Sequence, residues 1–274
     1  MIRVTALRGA ALVVHGGLDP AGFVVDGGCF DDRALASANC AIGNPWWAPG
    51  LEVLLGPITL HAERDCVIGV AGGGDVDVIT SPAGSQRLVS GTALRTVIAV
   101  AGGIARAPGT PIAVGDPLVI QTLPQRPPRL LRALEDDNDD DDDAIRVVRG
   151  AEHDHFDDDV FAAFCERLWR VDPRSSRLGI RLQGDALRVP ATGTDIVTRG
   201  AWTGAVQVLS SGLPVILGVD QRRTGGYARL AHVISVDRHR LAQLRPGHEA
   251  RFVEIDIARA RELRKAWAAH LEPT

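Results

Sequence analysis

GAVQVLSSGLPVILGVDQRRTGGYARLAHVISVDRHRLAQLRPGHEARF, residues Gly204 to Phe252, is the stretch that decides the fold. Its apolar runs are short and turn-forming residues separate them, the pattern of a strand-rich domain. Val206 and Val208 with Leu213–Val219 predict a hairpin around Ser210-Ser211-Gly212. Pro214 enters the second strand, where a missing N–H is tolerated. Ala205 and Gln207 then share the face opposite Val206 and Val208, so Gln207 looks either to solvent or into a site. A polar cassette, Asp220-Gln221-Arg222-Arg223-Thr224-Gly225-Gly226-Tyr227, leaves the end of this buried strand as a loop. It holds the chain's only tyrosine.

The same turn-punctuated pattern extends outward. Leu51–Leu55, Cys66–Ala71 and Thr96–Ala101 read as strands, and Gly72-Gly73-Gly74 and Gly102-Gly103 read as turns after them. Asp31 or Asp32 can cap a short helix, Arg33–Ile42, ended by Gly43. Asn39 falls beside its apolar face, where an amide needs a partner. The loop at Gly43-Asn44 can supply one, or Asn39 can serve a site. Glu135–Asp143, EDDNDDDDD, is too charged to bury surface, and the preceding LPQRPPRL stays extended. The domain plan is therefore residues 1–122 as a β-rich lobe, 123–144 as a Pro/Asp-rich disordered linker, 145–256 as a second lobe and 257–274 as a terminal helix.

In the second lobe, Glu152, His153, Asp154 and His155 read as a solvated acidic loop; no third ligand makes the histidine pair a metal site. Asp157–Leu168 has helical spacing of Phe161, Phe164, Cys165 and Leu168. If Ser175–Leu182 is extended, Arg177, Gly179 and Arg181 share a face, and the two arginines form a clamp for an anion or a solvated polar face. Asp256 caps a final helix striped by Ala260, Leu263, Trp267 and Leu271. The chain is mainly β with short helices (α+β), with no βαβ rhythm.

Composition excludes several classes. A net charge of −4, without a basic patch, argues against nucleic acid. No run is long enough for a membrane span and no signal peptide is visible, so a cytoplasmic location is expected. Cys29, Cys40, Cys66 and Cys165 stand apart without C-x-x-C, so they are expected to be free thiols. Lys265 is the only lysine. A Walker A loop and a Schiff base are therefore unavailable in the body of the chain, and anions must be held by arginine, backbone N–H groups or a metal.

These motifs, in their order, resemble the biotin-dependent carboxyltransferase family, which includes the second subunit of allophanate hydrolase, KipA, the PxpC component of 5-oxoprolinase and the carboxyltransferase domain of urea carboxylase. The resemblance rests on Gly28, Asp31, Asn39, Gly43, Asn44, Leu51-Glu52 and Gly56, then Ala99–Ile104. It continues through Gly150, Glu152, Phe156, Trp169 and Ser176–Leu182, and closes with GAVQV, Gly212-x-Pro214, Asp220 and TGGY. Three departures stand out. Val14-His15-Gly16-Gly17-Leu18 replaces the family's Q-D-x-G-R. Ala105–Val114 is shortened and lacks G-S-x-S-T. The cassette reads D-Q-R-R-T-G-G-Y-A against D-x-Q-T-T-G-G-Y-P.

The resemblance implies two β-barrel-like lobes related to the cyclophilin-like fold. It also implies a place in an ATP-dependent, 5-oxoprolinase-type complex that opens a lactam or amide C–N bond beside a KipI/PxpB-type and a PxpA-type partner. ATP belongs to the complex, and biotin is not attached to this chain, which has no Met-Lys-Met. Expected catalytic residues are Asp220, Tyr227 and Thr224, with Asp220 equally suited to capping a turn. Expected substrate-binding residues are Arg177, Arg181, Gln207, Gly225, Gly226, Asn39 and Asn44, the glycines letting backbone N–H groups approach the ligand. A non-catalytic KipA-like regulatory protein and a carboxyltransferase module using carboxybiotin are the alternatives.

Overall fold

The computed structural model describes residues 1–16, 28–131 and 144–271. The acidic run Glu135–Asp143, and Gly17 and Leu18 of the departed N-terminal signature, lie outside the described residues. Two compact units make up the chain: Met1–Ala133 with His270–Thr274, and Leu134–Ala269.

The first unit comprises β1 (Ile2–Leu7), β2 (Ala10–Val14), α1 (Asp32–Ala41), β3 (Gly50–Leu54), β4 (Ile58–Ala62), β5 (Cys66–Gly72), β6 (Asp75–Ser81), β7 (Gln86–Val89), β8 (Arg95–Val100), β9 (Pro111–Ile112) and β10 (Pro117–Leu118). They build a four-stranded sheet in the order β10-β1-β4-β7 and a six-stranded sheet in the order β6-β5-β8-β3-β2-β9. Burial on both faces explains the unbroken apolar run of β8. Ile98 and Val100 join Ile2, Val4, Leu60 and Val53 in the main core. Val97 and Ala99 pack on the other face against Leu35 and Ala38 of α1 and Ile42 at its C-cap. The helix approaches closely because β5 carries Gly69, where a Cβ would meet the Ala38 carbonyl oxygen at 2.2 Å.

Asp31 is the N-cap of α1, accepting from Ala34 N–H at 2.8 Å. Gly73 and Gly74, with φ of 64° and 99°, form the two-residue turn between β5 and β6, and Gly102 and Gly103 turn the chain after β8. The strand expected to reach Leu55 stops at Leu54. Leu55 takes a φ of 54°, outside the extended region, to start the turn into β4.

The second unit comprises β11 (Ile145–Arg149), α2 (Asp158–Glu166), β12 (Trp169–Val171), β13 (Gly179–Gln183), β14 (Asp195–Gly200), β15 (Ala205–Val208), β16 (Pro214–Leu217), β17 (Thr224–Tyr227), β18 (Arg229–Val233), α3 (Arg238–Gln243), β19 (Glu249–Ala250), β20 (Phe252–Glu254) and α4 (Ile257–Leu271) up to Ala269. One sheet runs β19-β12-β13-β16-β15-β18-β11-β20. Its outermost strands, β19 and β20, are joined by Arg251 alone, so the sheet curls until its two edges nearly meet in a barrel. The β15–β16 hairpin forms as expected, with Val208 opposite Pro214.

Phe164 stacks on Phe252 at 4.7 Å between ring centroids and lies 5.9 Å from Trp169, filling the space between α2 and the strands. The expected helix Asp157–Leu168 is shorter at its end. α2 stops at Glu166, and Leu168 is exposed. Trp169 must turn inward to start β12, and its indole N–H bonds the Phe164 carbonyl at 3.0 Å, ending the helix. Asp256 caps α4, whose Leu263 packs with Ile234 and Val236.

The protein is thus mainly β with few helices: one nearly closed eight-stranded barrel plus antiparallel sheets.

Candidate functional site

Half of the cassette is strand. Thr224–Tyr227 forms β17 and pairs with β14 as a separate two-stranded ribbon, in which Arg199 lies opposite Gly225 and Gly200 opposite Thr224. The loop expected at Asp220–Tyr227 is therefore limited to its first residues, because β14 offers an antiparallel partner that the spacing alone does not reveal. Irregularity between Asp195 and Arg199 adds residues to β14 only, so β17 keeps its alternation.

A buried ion pair holds the ribbon to the barrel. Arg229 of β18 and Glu152 are both buried. Arg229 Nε donates to Glu152 Oε2 at 2.5 Å, Nη2 donates to Oε1, and Nη1 donates to the Gly200 carbonyl at 2.6 Å. These charge-assisted bonds hold the Glu152 carboxyl below its usual range. The reading of Glu152 as part of a solvated loop is thus corrected. A buried arginine in the strand Arg229–Val233 cannot be left bare, and Glu152 neutralises it. That arginine was the signal in the sequence, and Trp202, whose ring lies 5.8 Å from the guanidinium, was the other residue missed.

Gln207 lies opposite Arg229 in the barrel and is 7% exposed. Its Nε2 faces the Tyr227 carbonyl at 3.4 Å. A Cβ built on Gly225 would meet that same Nε2 at 2.5 Å, whereas one on Gly226 would find ordinary contacts at 3.6 Å and beyond. A side chain at Gly225 would displace the Gln207 amide, which occupies that volume. Tyr227 and Gly225 share a ribbon face, and Thr224 is exposed.

Arg177 and Asp220 meet, but not as the extended clamp expected. Ser176 and Gly179 exchange backbone bonds at 3.0 and 3.2 Å, placing Arg177 and Leu178 at the centre of a tight turn. Arg177 grips Asp220 through Nε at 2.7 Å and Nη2 at 3.0 Å, and Asp220 N–H returns a bond to the Arg177 carbonyl at 3.1 Å. The expected shared face of Arg177 and Arg181 does not form, because the chain reverses between them; Arg181 sits exposed on β13.

Asn39 and Asn44 lie buried in the first unit. Asn39 Nδ2 donates to the Ala48 carbonyl at 2.8 Å, and Asn44 Nδ2 donates to Asn39 Oδ1 at 2.9 Å and to the Val100 carbonyl at 2.8 Å. Asn44 Oδ1 accepts from Gly102 N–H at 2.9 Å and from Gln125 Nε2 at 3.1 Å. Arg126 N–H bonds the Gly43 carbonyl at 2.7 Å, so the proline-rich segment runs along the end of α1.

His153 and His155 occupy a 3-10 turn and bond different carbonyls, those of Gly150 and Gly193, each at 2.9 Å. Among the described residues no group of three or more His, Cys, Asp or Glu is placed to hold a metal. Cys29, Cys40, Cys66 and Cys165 are free, and burial raises every one of these thiols, Cys165 to about 11. No helix of the described residues is long and apolar enough to cross a membrane.

Residues 23–105 and 85–254 match the carboxyltransferase domain, subdomain A and B, and the chain belongs to that family. It is 30% identical over 281 residues to the 5-oxoprolinase C subunit of Escherichia coli K12, covering 89% of this chain and 90% of that one. Within the family it is similar to the C subunit of 5-oxoprolinase. Among solved structures, TTHA0988 superposes with a TM-score of 0.74 at 30% identity, over 92% of this chain and 55% of that one, so the chain spans about half of it. The urea carboxylase of Kluyveromyces lactis superposes with a TM-score of 0.84 at 20% identity, over 99% of this chain and 29% of that one, a likeness of fold.

Proposed function

We propose that the chain is the PxpC-like component of an ATP-dependent 5-oxoprolinase-type complex. It works with KipI/PxpB-type and PxpA-type partners to add water across a lactam or amide C–N bond. The observation that carries this reading is the near end-to-end likeness to the 5-oxoprolinase C subunit. The second unit is a cyclophilin-like barrel in this reading, and the first a barrel-like lobe.

The chain's own residues take the following parts. Gln207 and the ribbon face bearing Gly225 and Tyr227 bind substrate, and Tyr227 or Thr224 passes a proton at the departing nitrogen. Asp220 is a positioning residue, because its carboxylate, gripped by Nε and Nη2 of Arg177, ties the turn to the cassette. Arg181, exposed on β13, meets anionic groups at the rim.

ATP fits the chain itself poorly. Gly73-Gly74 and Gly102-Gly103 turn between extended segments without opening a helix, and the sole lysine lies on α4. We assign ATP to the assembled complex and route no step through it here.

A second reading, a non-catalytic KipA-like regulator, is favoured by one feature. Val14-His15-Gly16 stands where the family carries a glutamine and an acid, and His15 is occupied with the Gly16 carbonyl at 3.1 Å. Reconstitution with the two partner proteins and assay of 5-oxoproline-dependent ATP hydrolysis separates the two. Turnover supports the hydrolase. Stable binding of a KipI-type partner without turnover replaces it with the regulator.

A further inference from the structure

We infer that Gln207 reads the amide N–H of the substrate, so that the cassette selects lactams and amides over the corresponding lactones. This rests on the amide-hydrolase reading above.

A carboxamide has one oxygen acceptor and one NH₂ donor. In Gln207 the donor end is committed, since Nε2 faces the Tyr227 carbonyl oxygen at 3.4 Å. Rotating the amide would set Oε1 against that carbonyl oxygen, two acceptors with no proton between them. The orientation is therefore fixed, and Gly225, which carries no side chain, leaves that nitrogen its place. Oε1 accepts from no described residue, although Gln207 as a whole is only 7% exposed. An acceptor fixed in place and still open, on an otherwise buried residue, is suited to an N–H that arrives with a ligand.

The surroundings favour a neutral donor. Arg229, the cation opposite Gln207 in the barrel, is engaged by Glu152 and the Gly200 carbonyl. Tyr227 lies on the same ribbon face as Gly225, and its hydroxyl bonds no described residue. An N–H of a lactam meets Oε1; the ring oxygen of a lactone would set lone pair against lone pair.

The test uses the reconstituted complex with 5-oxoproline and its ring-oxygen counterpart, 5-oxotetrahydrofuran-2-carboxylate. Wild type should prefer the lactam by at least about 100-fold in kcat/KM, since sites built to hydrogen-bond one group discriminate strongly against its absence. Gln207→Leu should bring that preference to within about 10-fold, while Gln207→Asn, which keeps both a donor and an acceptor, should retain more of it than Gln207→Leu does. An unchanged preference in Gln207→Leu overturns the inference.

If the wild-type complex turns over no lactam, the hydrolase reading fails separately. Calorimetric titration of the full chain with the same two compounds then decides. Lactam-selective binding abolished in Gln207→Leu upholds the role of Gln207; equal binding of both, or of neither, overturns it. Melting curves of both variants confirm that each is folded.

Discussion

At the scale of single residues, the two adjacent glycines of the cassette are not equivalent. Gly225→Ala displaces the Gln207 amide and breaks its bond to the Tyr227 carbonyl, at a cost of about 0.5–1.5 kcal/mol. Gly226→Ala meets only ordinary contacts and should change stability by under about 0.5 kcal/mol. Calorimetric melting of the pair checks this: a lower melting temperature is expected for Gly225→Ala alone. The glycine pair was visible in the sequence as a feature of the cassette. Its reason was not, because Gln207 lies in another strand and only the fold brings its amide over Gly225. The Glu152–Arg229 pair behaves likewise. Arg229→Met alone leaves a buried carboxylate and should cost about 3–5 kcal/mol, whereas joining it with Glu152→Leu should cost less than either single change. Denaturant unfolding of the three variants reads the coupling directly.

At the scale of elements, α1 is held at both ends by side chains. Asp31→Ala removes the cap and should cost about 1 kcal/mol. Asn44→Ala unties the end of α1 from Val100, Gly102 and Gln125 together, leaving buried polar groups without partners at about 1–3 kcal/mol each. Hydrogen exchange should accelerate at Gly102 N–H and at the last turn of α1, and unchanged protection there would show that the amide network is incidental. Helix position, cap and terminating glycine were legible in Asp31–Gly43, since these are local signals. The turn at Arg177-Leu178 was not, because a two-residue reversal inside an alternating run looks like a continuous strand until the Ser176–Gly179 exchange is seen.

Across the whole molecule, stability against pH follows from two sets of buried groups. His232 is pushed down to about 4, chiefly by burial and further by Arg238 and Arg229. Its unfolded value near 6.5 is higher, so the unfolded chain binds the extra proton between those values. Stability should therefore fall by roughly 3 kcal/mol as pH drops from about 6.5 to about 4, and His232→Gln should flatten that limb. Glu152 and Asp172 shift the other way, held down by Arg229 and by Arg174 with Gln183, and they lose their contribution at lower pH, through their own folded values. Thermal melts from pH 7 to pH 3 should show both limbs in wild type and only the acid one in His232→Gln. What the sequence determined by itself was the class: short apolar runs between turn-formers make a mainly β chain, and the ordered motifs place it in the carboxyltransferase family. These are properties of neighbours along the chain. Closure of the barrel through Glu249–Glu254, the pairing of β17 with β14, and the partners of Glu152, Gln207 and Asp220 were decided only by the tertiary structure. Each joins residues far apart in sequence, and a side chain's charge or amide has meaning only against the group it meets.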